Sequence, residues 1–543
     1  MQNYHQFIIP RLNGNEIKKK FKYYLSLVKN GIAGFIIFGG ELESIREGIK
    51  RLQNEAELPL IIASDLEQGL GQQITGGTLF PPAMAVASAI LPPTPPLGKG
   101  GTKGGWSTEL KLLRNSFKAI AEEAGYAGIN TIFAPVLDIN TNPCNPIISV
   151  RAFGEDRETV SFFGCEMIKS IQNSGIAACG KHFPGHGDTQ IDSHIKLPKI
   201  NRDLRHLNRN ELVPFKDAIK AGVKMIMLGH LSVPAIDPSG TPVSISEKTV
   251  RFIRDKMKYK GILITDAMNM GGIGKYSEEK AASMALRAGV DLILHPTDTE
   301  KTALYLREKN IMLDSKHLDN FRKRLISLPS EHLPDFDINK NFSLELTEKA
   351  IKISGDFMID RPPFLIILND DQDKKGKFFY EKLKQGFPNL KSKIIKRSSE
   401  IQRIHLPENT FVIVAIFSET KAWKGGASNW VQKKISHLQD RSDLFVSFGS
   451  PYLLEANEQP RSKLRGIKYQ KKSVILACPE SFFPIPNKQE RFPTGGNDKY
   501  GEKINPNAEH RGILSIKKSA KIIAYWDSES AQQAVAEVII NKL

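Results

Sequence analysis

Eight short apolar runs recur through the first 330 residues of the chain, and each is followed by a polar loop. Their lengths suit strands, because helices normally need ten or more residues. The predicted strands are Phe7–Pro10, Phe35–Phe38, Leu60–Ser64, Thr131–Leu137, Ile176–Gly180, Lys224–Leu228, Ile262–Thr265 and Val290–Leu294. Amphipathic stretches lie between them, and the predicted helices include Thr108–Tyr126, Thr159–Ser174, Leu207–Ala221 and Glu278–Ala288. Eight β–α units in a stretch of this length predict an α/β fold, the (β/α)8 or TIM-type barrel. A doubly wound open sheet is the alternative, since strand counts from one sequence are error-prone.

The pattern changes after a polar bridge at Leu328–Asn341. The elements predicted beyond it are a helix over Leu344–Ile353, strands over Phe364–Leu368, Thr410–Phe417, Asp443–Phe448 and Lys472–Ala477, and a final helix over Ala531–Leu543. This alternation predicts a smaller α/β (αβα) sandwich. We therefore expect a catalytic barrel domain at residues 1–335 and a sandwich domain at residues 345–543.

Two segments interrupt the regular pattern. Residues 91–105 are rich in Pro, Gly and Lys and have little to bury, which predicts a flexible surface insertion after the third strand. A functional lid is the alternative reading of that segment. Asn487–Arg511 is polar and rich in Gly, Pro and Asn, which predicts a loop.

Composition narrows the class of protein. The chain has 543 residues, of which 40% are hydrophobic and 25% charged, as is usual for soluble proteins. Its four cysteines lack the spacing of a disulfide framework or a zinc site, and the N-terminus lacks the features of a signal peptide. No apolar stretch is long enough to span a bilayer, so a cytoplasmic protein is expected. The net charge of +17 is scattered along the chain, and nucleic acid is therefore not an expected partner.

Ionisable residues follow several of the predicted strands. They are Asp65, Asp138, Lys181, His182, His230 and Asp266. In a parallel barrel the carboxyl ends of the strands meet on one face, which is where active sites lie. We therefore expect these side chains to approach one another.

The loop Lys181–His194 holds three His, two Asp and one Lys within fourteen residues. Asp192 and His194 are close enough in sequence to hydrogen-bond, which would orient the imidazole for proton transfer near neutral pH. A purely structural Asp–His hydrogen bond fits the spacing equally well, and His182 and His186 compete for the same catalytic role. A metal site is not expected, because His182 and His186 on a Pro/Gly loop make a weak metal motif.

Asp266 follows the apolar run Gly261–Thr265 and precedes a glycine-containing loop. A carboxylate at a strand tip suits a nucleophile that is held rigidly at the floor of a pocket. A helix N-cap is the alternative for such a residue. The ionisable residues at the ends of the other strands favour the interpretation of Asp266 as a nucleophile.

These residues resemble glycoside hydrolase family 3, and in particular its bacterial β-N-acetylglucosaminidase branch. The resemblance covers most of residues 7–300 and depends on Ala134–Asn140, Arg151–Asp156, Lys181–His194 and Ile264–Met268. Phe448–Leu454 is similar to a segment of the second domain of that family. One departure is Asp65–Gly71, which lacks the Gly-Gly-Arg that many relatives carry.

The resemblance implies an exo-acting enzyme that hydrolyses terminal β-linked N-acetylhexosamine with retention of configuration and needs no cofactor or metal. Asp266 would be the nucleophile that forms a covalent glycosyl-enzyme, and His194 the acid/base with Asp192 as its partner. The residues implied to bind sugar hydroxyls are Asp65, Arg151, Lys181 and His182. Small β-N-acetylglucosaminides, including muropeptide fragments of peptidoglycan turnover, would be the substrates. The alternatives are a phosphorylase or a β-glucosidase on the same scaffold, and a carbohydrate-binding protein without activity.

Overall fold

A closed parallel barrel forms the first part of the molecule. The structure is a computed structural model that describes residues 3–90, 103–143, 145–326, 328–370, 375–396, 406–418, 429–438, 441–454 and 520–542. The barrel strands are β1 (Ile8–Ile9), β2 (Arg11–Asn13), β3 (Gly34–Phe38), β4 (Ile61–Ser64), β5 (Thr131–Ile132), β6 (Ala177–Phe183), β7 (Met225–Leu228), β8 (Ile262–Ala267) and β9 (Leu292–Leu294). They pair in the order β1-β9-β8-β7-β6-β5-β4-β3-β2.

The two ends of this order belong to one interrupted strand. β1 pairs with β9, β2 pairs with β3, and only Pro10 separates β1 from β2. Proline has no N–H to donate to a ladder, but the Pro10 carbonyl still accepts from Ile36 N at 3.0 Å. The nine segments therefore make an eight-stranded closed barrel. The predicted barrel is confirmed, and the open sheet is excluded.

Most barrel strands differ by a residue or two from their predicted bounds, and the carboxyl ends of β5 and β6 differ by more. β5 ends at Ile132 instead of Leu137, and Pro135 beyond it has no N–H for a ladder. β6 continues to Phe183, past the predicted end at Gly180, and is buried over its whole length. Lys181 and His182 therefore sit on a strand rather than on a loop.

Helices surround the barrel. They are α1 (Phe21–Lys29), α2 (Leu42–Asn54), α3 (Ala83–Ile90), α4 (Lys103–Ala127), α5 (Arg157–Asn173), α6 (Leu204–Arg209), α7 (Leu212–Lys220), α8 (Glu247–Arg251), α9 (Glu278–Ala288), α10 (Thr299–Glu308) and α11 (Lys316–Arg322). The single helix predicted over Leu207–Ala221 is wrong, because Asn210 leaves the helical region (φ −127°, ψ −89°) and divides it into α6 and α7. α4 begins inside the predicted insertion at 91–105, of which residues 91–102 lie outside the described residues.

A second, mainly parallel sheet follows. Its strands are β10 (Lys352–Ser354), β11 (Pro363–Asn369), β12 (Lys391–Lys396), β13 (Phe411–Ser418), β14 (Leu444–Gly449) and β15 (Ala520–Ala524), in the order β10-β15-β14-β13-β11-β12. Only β10 among them pairs in the antiparallel sense. α12 (Phe336–Ala350) precedes this sheet and hydrogen-bonds to the barrel part through Asn339 and Ser343; the helices that follow within the second sheet region are α13 (Lys377–Gly386), α14 (Asn429–Leu438) and α15 (Glu529–Ile540).

Alternate residues of β13 face different layers, as the strand period of two requires. Ile413 and Ala415 belong to the core that includes α13 and α15, whereas Val412 and Val414 pack with α14. The sheet is therefore covered by helices on both faces, which confirms the predicted αβα sandwich. The first of these cores is continuous with that of the barrel.

The individual predictions for this sheet have mixed outcomes. The strands expected over Phe364–Leu368, Thr410–Phe417 and Asp443–Phe448 correspond to β11, β13 and β14. The helix predicted over Leu344–Ile353 is wrong at both ends: α12 already begins at Phe336, inside the predicted polar bridge, and it stops at Ala350, after which residues 352–354 pair with β15. Lys472–Ala477 and Asn487–Arg511 lie outside the described residues. Along the described chain, no helix is long and apolar enough to cross a membrane.

Candidate active site

Lys181, at the end of β6, is the centre of a buried ion cluster. Its Nζ lies 2.6 Å from Asp65 Oδ1 and 2.7 Å from Glu67 Oε1, and only 3% of its side chain is exposed. Arg151 reaches the same Glu67 with two nitrogens, Nε at 2.9 Å and Nη2 at 2.7 Å. The structure thus brings together three residues that the resemblance named separately.

Glu67 joins these groups and was not among the predicted site residues. Although burial opposes its ionisation, Arg151 and Lys181 hold the pKa of Glu67 far below its usual value. The two carboxylates raise the pKa of Lys181 above its usual value despite burial. Glu67 and Lys181 therefore remain charged at neutral pH. The position of Glu67, two residues after a strand-end aspartate, is the signal in the sequence that could have found it.

Asp138 organises His182 on β6 and His186 just beyond the end of that strand. Its Oδ2 accepts from His182 Nδ1 at 2.8 Å, and its Oδ1 accepts from the backbone N–H groups of His182 and His186 at 3.1 and 2.8 Å. Burial opposes ionisation of Asp138, but the two histidines outweigh it and lower its pKa. With Nδ1 engaged, His182 has Nε2 left to meet a ligand. Asp138 therefore positions His182.

His186 is a structural residue and not a candidate for proton transfer. It is 1% exposed. Thr189 Oγ1 donates to the His186 carbonyl at 2.9 Å and lies 2.7 Å from His186 Nδ1, so Nδ1 carries the proton. The other ring nitrogen, Nε2, is buried and has no hydrogen-bond partner in the described part of the chain. Burial lowers the pKa of His186 to about 4. The imidazole is therefore neutral in the folded protein near pH 7.

His186 should make the protein less stable in mild acid. Its pKa of about 4 lies below the unfolded value of 6.5, so the unfolded chain binds the proton more readily. The stability that this pKa difference contributes to the folded state is fully present above pH 6.5 and is lost as the pH falls toward 4. Between pH 7.5 and pH 5 we expect a loss of about 2 kcal/mol in the free energy of unfolding.

Urea unfolding of the wild type, His186→Gln and His332→Gln at both pH values measures this loss. His186→Gln should lack this part of the pH dependence. His332, which is exposed, is the control, and its variant should keep the full dependence. An unchanged dependence in His186→Gln would contradict the assignment.

Asp266 is placed by β8 at the same end of the barrel. Its Oδ1 accepts from the N–H of Ala267 at 2.8 Å. Burial opposes its ionisation, but the nearby His182 and His230 and the Ala267 N–H outweigh burial and lower the pKa of Asp266. The carboxylate is therefore ionised at neutral pH, as a nucleophile must be.

His230, at the end of β7, is neutral in this environment. Its Nε2 donates to the Ala267 carbonyl at 2.9 Å, and its Nδ1 lies 2.6 Å from Ser244 Oγ. Burial lowers the pKa of His230 below its usual value. Because both ring nitrogens have partners within the protein, His230 supports the backbone next to Asp266.

Asp192 and His194 form the predicted hydrogen-bonded pair. Asp192 Oδ1 accepts from His194 Nδ1 at 2.7 Å and from the His194 backbone N–H at 2.8 Å. The Asp192 side chain is 1% exposed, whereas that of His194 is 19% exposed. A buried carboxylate thus fixes a partly exposed imidazole through its Nδ1 atom. His194 also lies near enough to Asp266 to contribute to its lowered pKa.

Two glycines after β8 allow the loop of His194 to approach that strand. A Cβ at Gly272 would lie 2.7 Å from the Ser193 carbonyl and 2.6 Å from the Cβ of His230. Gly271 N donates to the His194 carbonyl at 3.0 Å. No larger residue fits at Gly272 without moving its neighbours. This glycine therefore lets the loop of His194 lie close to β8, the strand that carries Asp266.

The predicted site residues therefore meet at one end of the barrel. Asp65, Arg151 and Lys181 share the ion cluster, while His182 and His194 both lie close enough to Asp266 to lower its pKa. Within the described residues, no group of three His, Cys, Asp or Glu side chains is arranged to hold a metal ion. A parallel barrel with ionisable groups gathered at the carboxyl ends of its strands has the architecture of a barrel enzyme.

Comparisons with known proteins agree with this class. Residues 6–328 match the model of the glycosyl hydrolase family 3 N-terminal domain, and the chain belongs to that family. It is 34% identical over 259 residues to beta-hexosaminidase A of Pseudoalteromonas piscicida, an alignment that covers 45% of this chain. The chain spans only 41% of the length of that relative.

Solved structures extend the similarity to the whole fold. A glycoside hydrolase family 3 β-N-acetylglucosaminidase from Paenibacillus aligns over 99% of this chain and 96% of its own, with a TM-score of 0.72 and 23% identity. NagZ from Neisseria gonorrhoeae aligns over 97% of its own chain but only 63% of this one, with a TM-score of 0.52 and 24% identity. About a third of the present chain therefore has no counterpart in that neighbour.

Proposed function

We propose that the protein is a retaining exo-β-N-acetylglucosaminidase that acts through a covalent glycosyl-enzyme on Asp266. The observation that carries the proposal is the ionised Asp266 at the same barrel end as the Asp192–His194 pair. Relatives named beta-hexosaminidase support N-acetylhexosamine as the sugar. We further propose a cytoplasmic role in peptidoglycan turnover, with small muropeptide fragments as substrates and no metal ion.

In the first step the Asp266 carboxylate attacks the anomeric carbon. His194, protonated on Nε2, gives its proton to the glycosidic oxygen as the bond to the aglycone breaks. Asp192 stabilises the imidazolium at this stage, since its Oδ1 already accepts from Nδ1 at 2.7 Å. The products of the step are the free aglycone and a glycosyl ester of Asp266.

In the second step a water molecule attacks the anomeric carbon of the ester. His194 Nε2, now neutral, takes the proton of that water, and the Asp266 carboxylate leaves. Two inversions at one carbon give net retention of configuration. The usual measurement of carboxylate separation does not apply here, because the proposed acid/base is an imidazole.

The ion cluster would hold the sugar in place for both steps. Asp65 is the more exposed of the two carboxylates on Lys181, with 27% of its side chain accessible, compared with 8% for Glu67. Asp65 therefore remains accessible to sugar hydroxyls, while Glu67 holds Lys181 and Arg151 in position. A cluster ordered before the substrate arrives loses less conformational entropy on binding.

A panel of aryl β-glycosides, assayed with and without inorganic phosphate, tests the proposed function. The expected result is release of N-acetylglucosamine from the N-acetylglucosaminide at a rate that phosphate does not change. The glucoside and xyloside should react at least about tenfold more slowly, as expected when a substrate lacks a recognised group. A sugar 1-phosphate as product would replace the proposal with a phosphorylase, and binding without turnover would replace it with a carbohydrate-binding protein.

A further inference from the structure

The second sheet reaches the barrel loop that carries Arg151. β14 is followed by a short turn, Pro451–Leu453, whose Tyr452 side chain contacts the barrel. The Tyr452 hydroxyl accepts from Asn140 Nδ2 at 2.8 Å. Burial and the hydrogen-bonded Glu155 carboxylate raise the pKa of Tyr452 well above its usual value, so the hydroxyl keeps its proton.

Asn140 connects this hydroxyl to the turn that bears Arg151. The side-chain Oδ1 of Asn140 accepts from Ser149 N at 3.0 Å, and the backbone N–H of Asn140 donates to the Gly154 carbonyl at 3.0 Å. Ser149 has φ 41°, in the left-handed region, which is unfavourable for a residue with a Cβ. The bond from Asn140 helps to hold the turn Ser149–Arg151 in this conformation.

The same turn sets the direction of the Arg151 side chain. Arg151 Nη1 donates to the Ile147 carbonyl at 3.0 Å, while Nε and Nη2 engage Glu67. The guanidinium is planar and rigid, so a shift of its backbone would disturb both bonds to Glu67. Glu67 in turn holds Lys181 at 2.7 Å.

We propose that Tyr452 is a positioning residue of the sugar-binding site, and that it acts by fixing Asn140 and so the Arg151 turn. This inference rests on the proposed function, which makes Arg151 a ligand of the sugar. It assigns the second sheet a part in substrate binding, beyond packing against the barrel.

A second tyrosine at the same interface provides the control. Tyr525 follows β15, and its hydroxyl donates to Ser88 Oγ on α3 at 3.2 Å. Tyr525→Phe also removes one hydroxyl that joins the second sheet to the barrel, but it leaves Asn140 and the Arg151 turn intact. Any effect of loosening the interface in general should appear in both variants.

Tyr452→Phe should raise KM for an aryl N-acetylglucosaminide about fivefold and change kcat by less than twofold. The rise corresponds to the loss of one hydrogen bond of about 1 kcal/mol that positions Arg151, and kcat hardly changes because Arg151 would contact the sugar equally in the substrate and the transition state. Tyr525→Phe should leave KM unchanged. In an Arg151→Ala background, Tyr452→Phe should add no further rise in KM, because the residue through which it acts is absent.

Hydrogen exchange of the Ser149 amide provides a measurement that needs no substrate. Tyr452→Phe should speed exchange there, and Tyr525→Phe should not. Unchanged exchange at Ser149, a KM equal to that of Tyr525→Phe, or effects of Tyr452 and Arg151 that multiply would overturn the inference. If the wild type turns over no N-acetylglucosaminide, the proposed function fails, while the exchange data still decide whether Tyr452 fixes the turn.

Discussion

Asp266→Ala should lower kcat/KM for an aryl N-acetyl-β-glucosaminide by about 10⁴-fold or more, in the range seen when a catalytic nucleophile is removed. The variant has no carboxylate to attack the anomeric carbon, so no glycosyl-enzyme can form. Its fold should survive, because Asp266 makes one short-range hydrogen bond, to the N–H of Ala267. Steady-state kinetics and the unfolding midpoint of the purified variant check both statements.

Added azide distinguishes loss of the nucleophile from general damage. In Asp266→Ala a small anion can enter the space of the carboxylate and displace the aglycone directly, with one inversion. The expected product is the α-glycosyl azide, with partial recovery of turnover. Asp217→Asn, on the outer helix α7, is the matched control and should retain full activity. Retained activity in Asp266→Ala would contradict the nucleophile assignment.

His194→Ala should lower turnover by an amount that depends on the leaving group. For an unactivated phenyl glycoside we expect a loss in kcat/KM of about 10³-fold, within the range for general acid catalysis. For a dinitrophenyl glycoside, whose leaving group needs no proton, the loss should be about tenfold or less. Binding of N-acetylglucosamine should hardly change, because the imidazole acts on the departing oxygen and on water.

The azide product again checks the assignment. In His194→Ala the nucleophile Asp266 remains, so azide attacks the glycosyl-enzyme and gives the β-glycosyl azide after two inversions. His317→Ala, an exposed histidine on α11, is the control and should behave as wild type. Equal losses with both leaving groups would show that Asp192 and His194 have only the structural role that their spacing also allows.

Asp266, Lys181 and His182 could be located from the sequence because each ends an apolar run. In a parallel barrel the carboxyl ends of the strands lie on one face, so a residue that ends a predicted strand is expected on that face. The Asp192–His194 pair is similarly local, because its members are two positions apart in the sequence. The roles of Asp65 and Arg151 came from the resemblance alone, and the structure shows the ion cluster that both join.

The partners of Glu67 and Tyr452 could not be predicted in the same way. Glu67 and Arg151 are 84 residues apart, and Asn140 and Tyr452 are 312 apart. No periodicity relates such positions, because the geometry of several intervening strands and loops decides whether they meet. Among the strands of the second sheet, β12 was missed because its edge position leaves Lys391–Ile394 exposed, without the continuous apolar run that marks a buried strand.

The sequence by itself determined the barrel, the sandwich and the residue types at the strand ends, because burial requires apolar runs of strand length and the barrel leaves its ionisable residues at their tips. Only the tertiary structure decided which of those residues are partners. It placed one carboxylate, Glu67, between two cations, made His186 a buried neutral side chain and brought Tyr452 to the Arg151 loop. The contacts of Glu67 and Tyr452 depend on distances of about 3 Å between groups far apart in the chain, and the state of His186 depends on its burial; packing sets both.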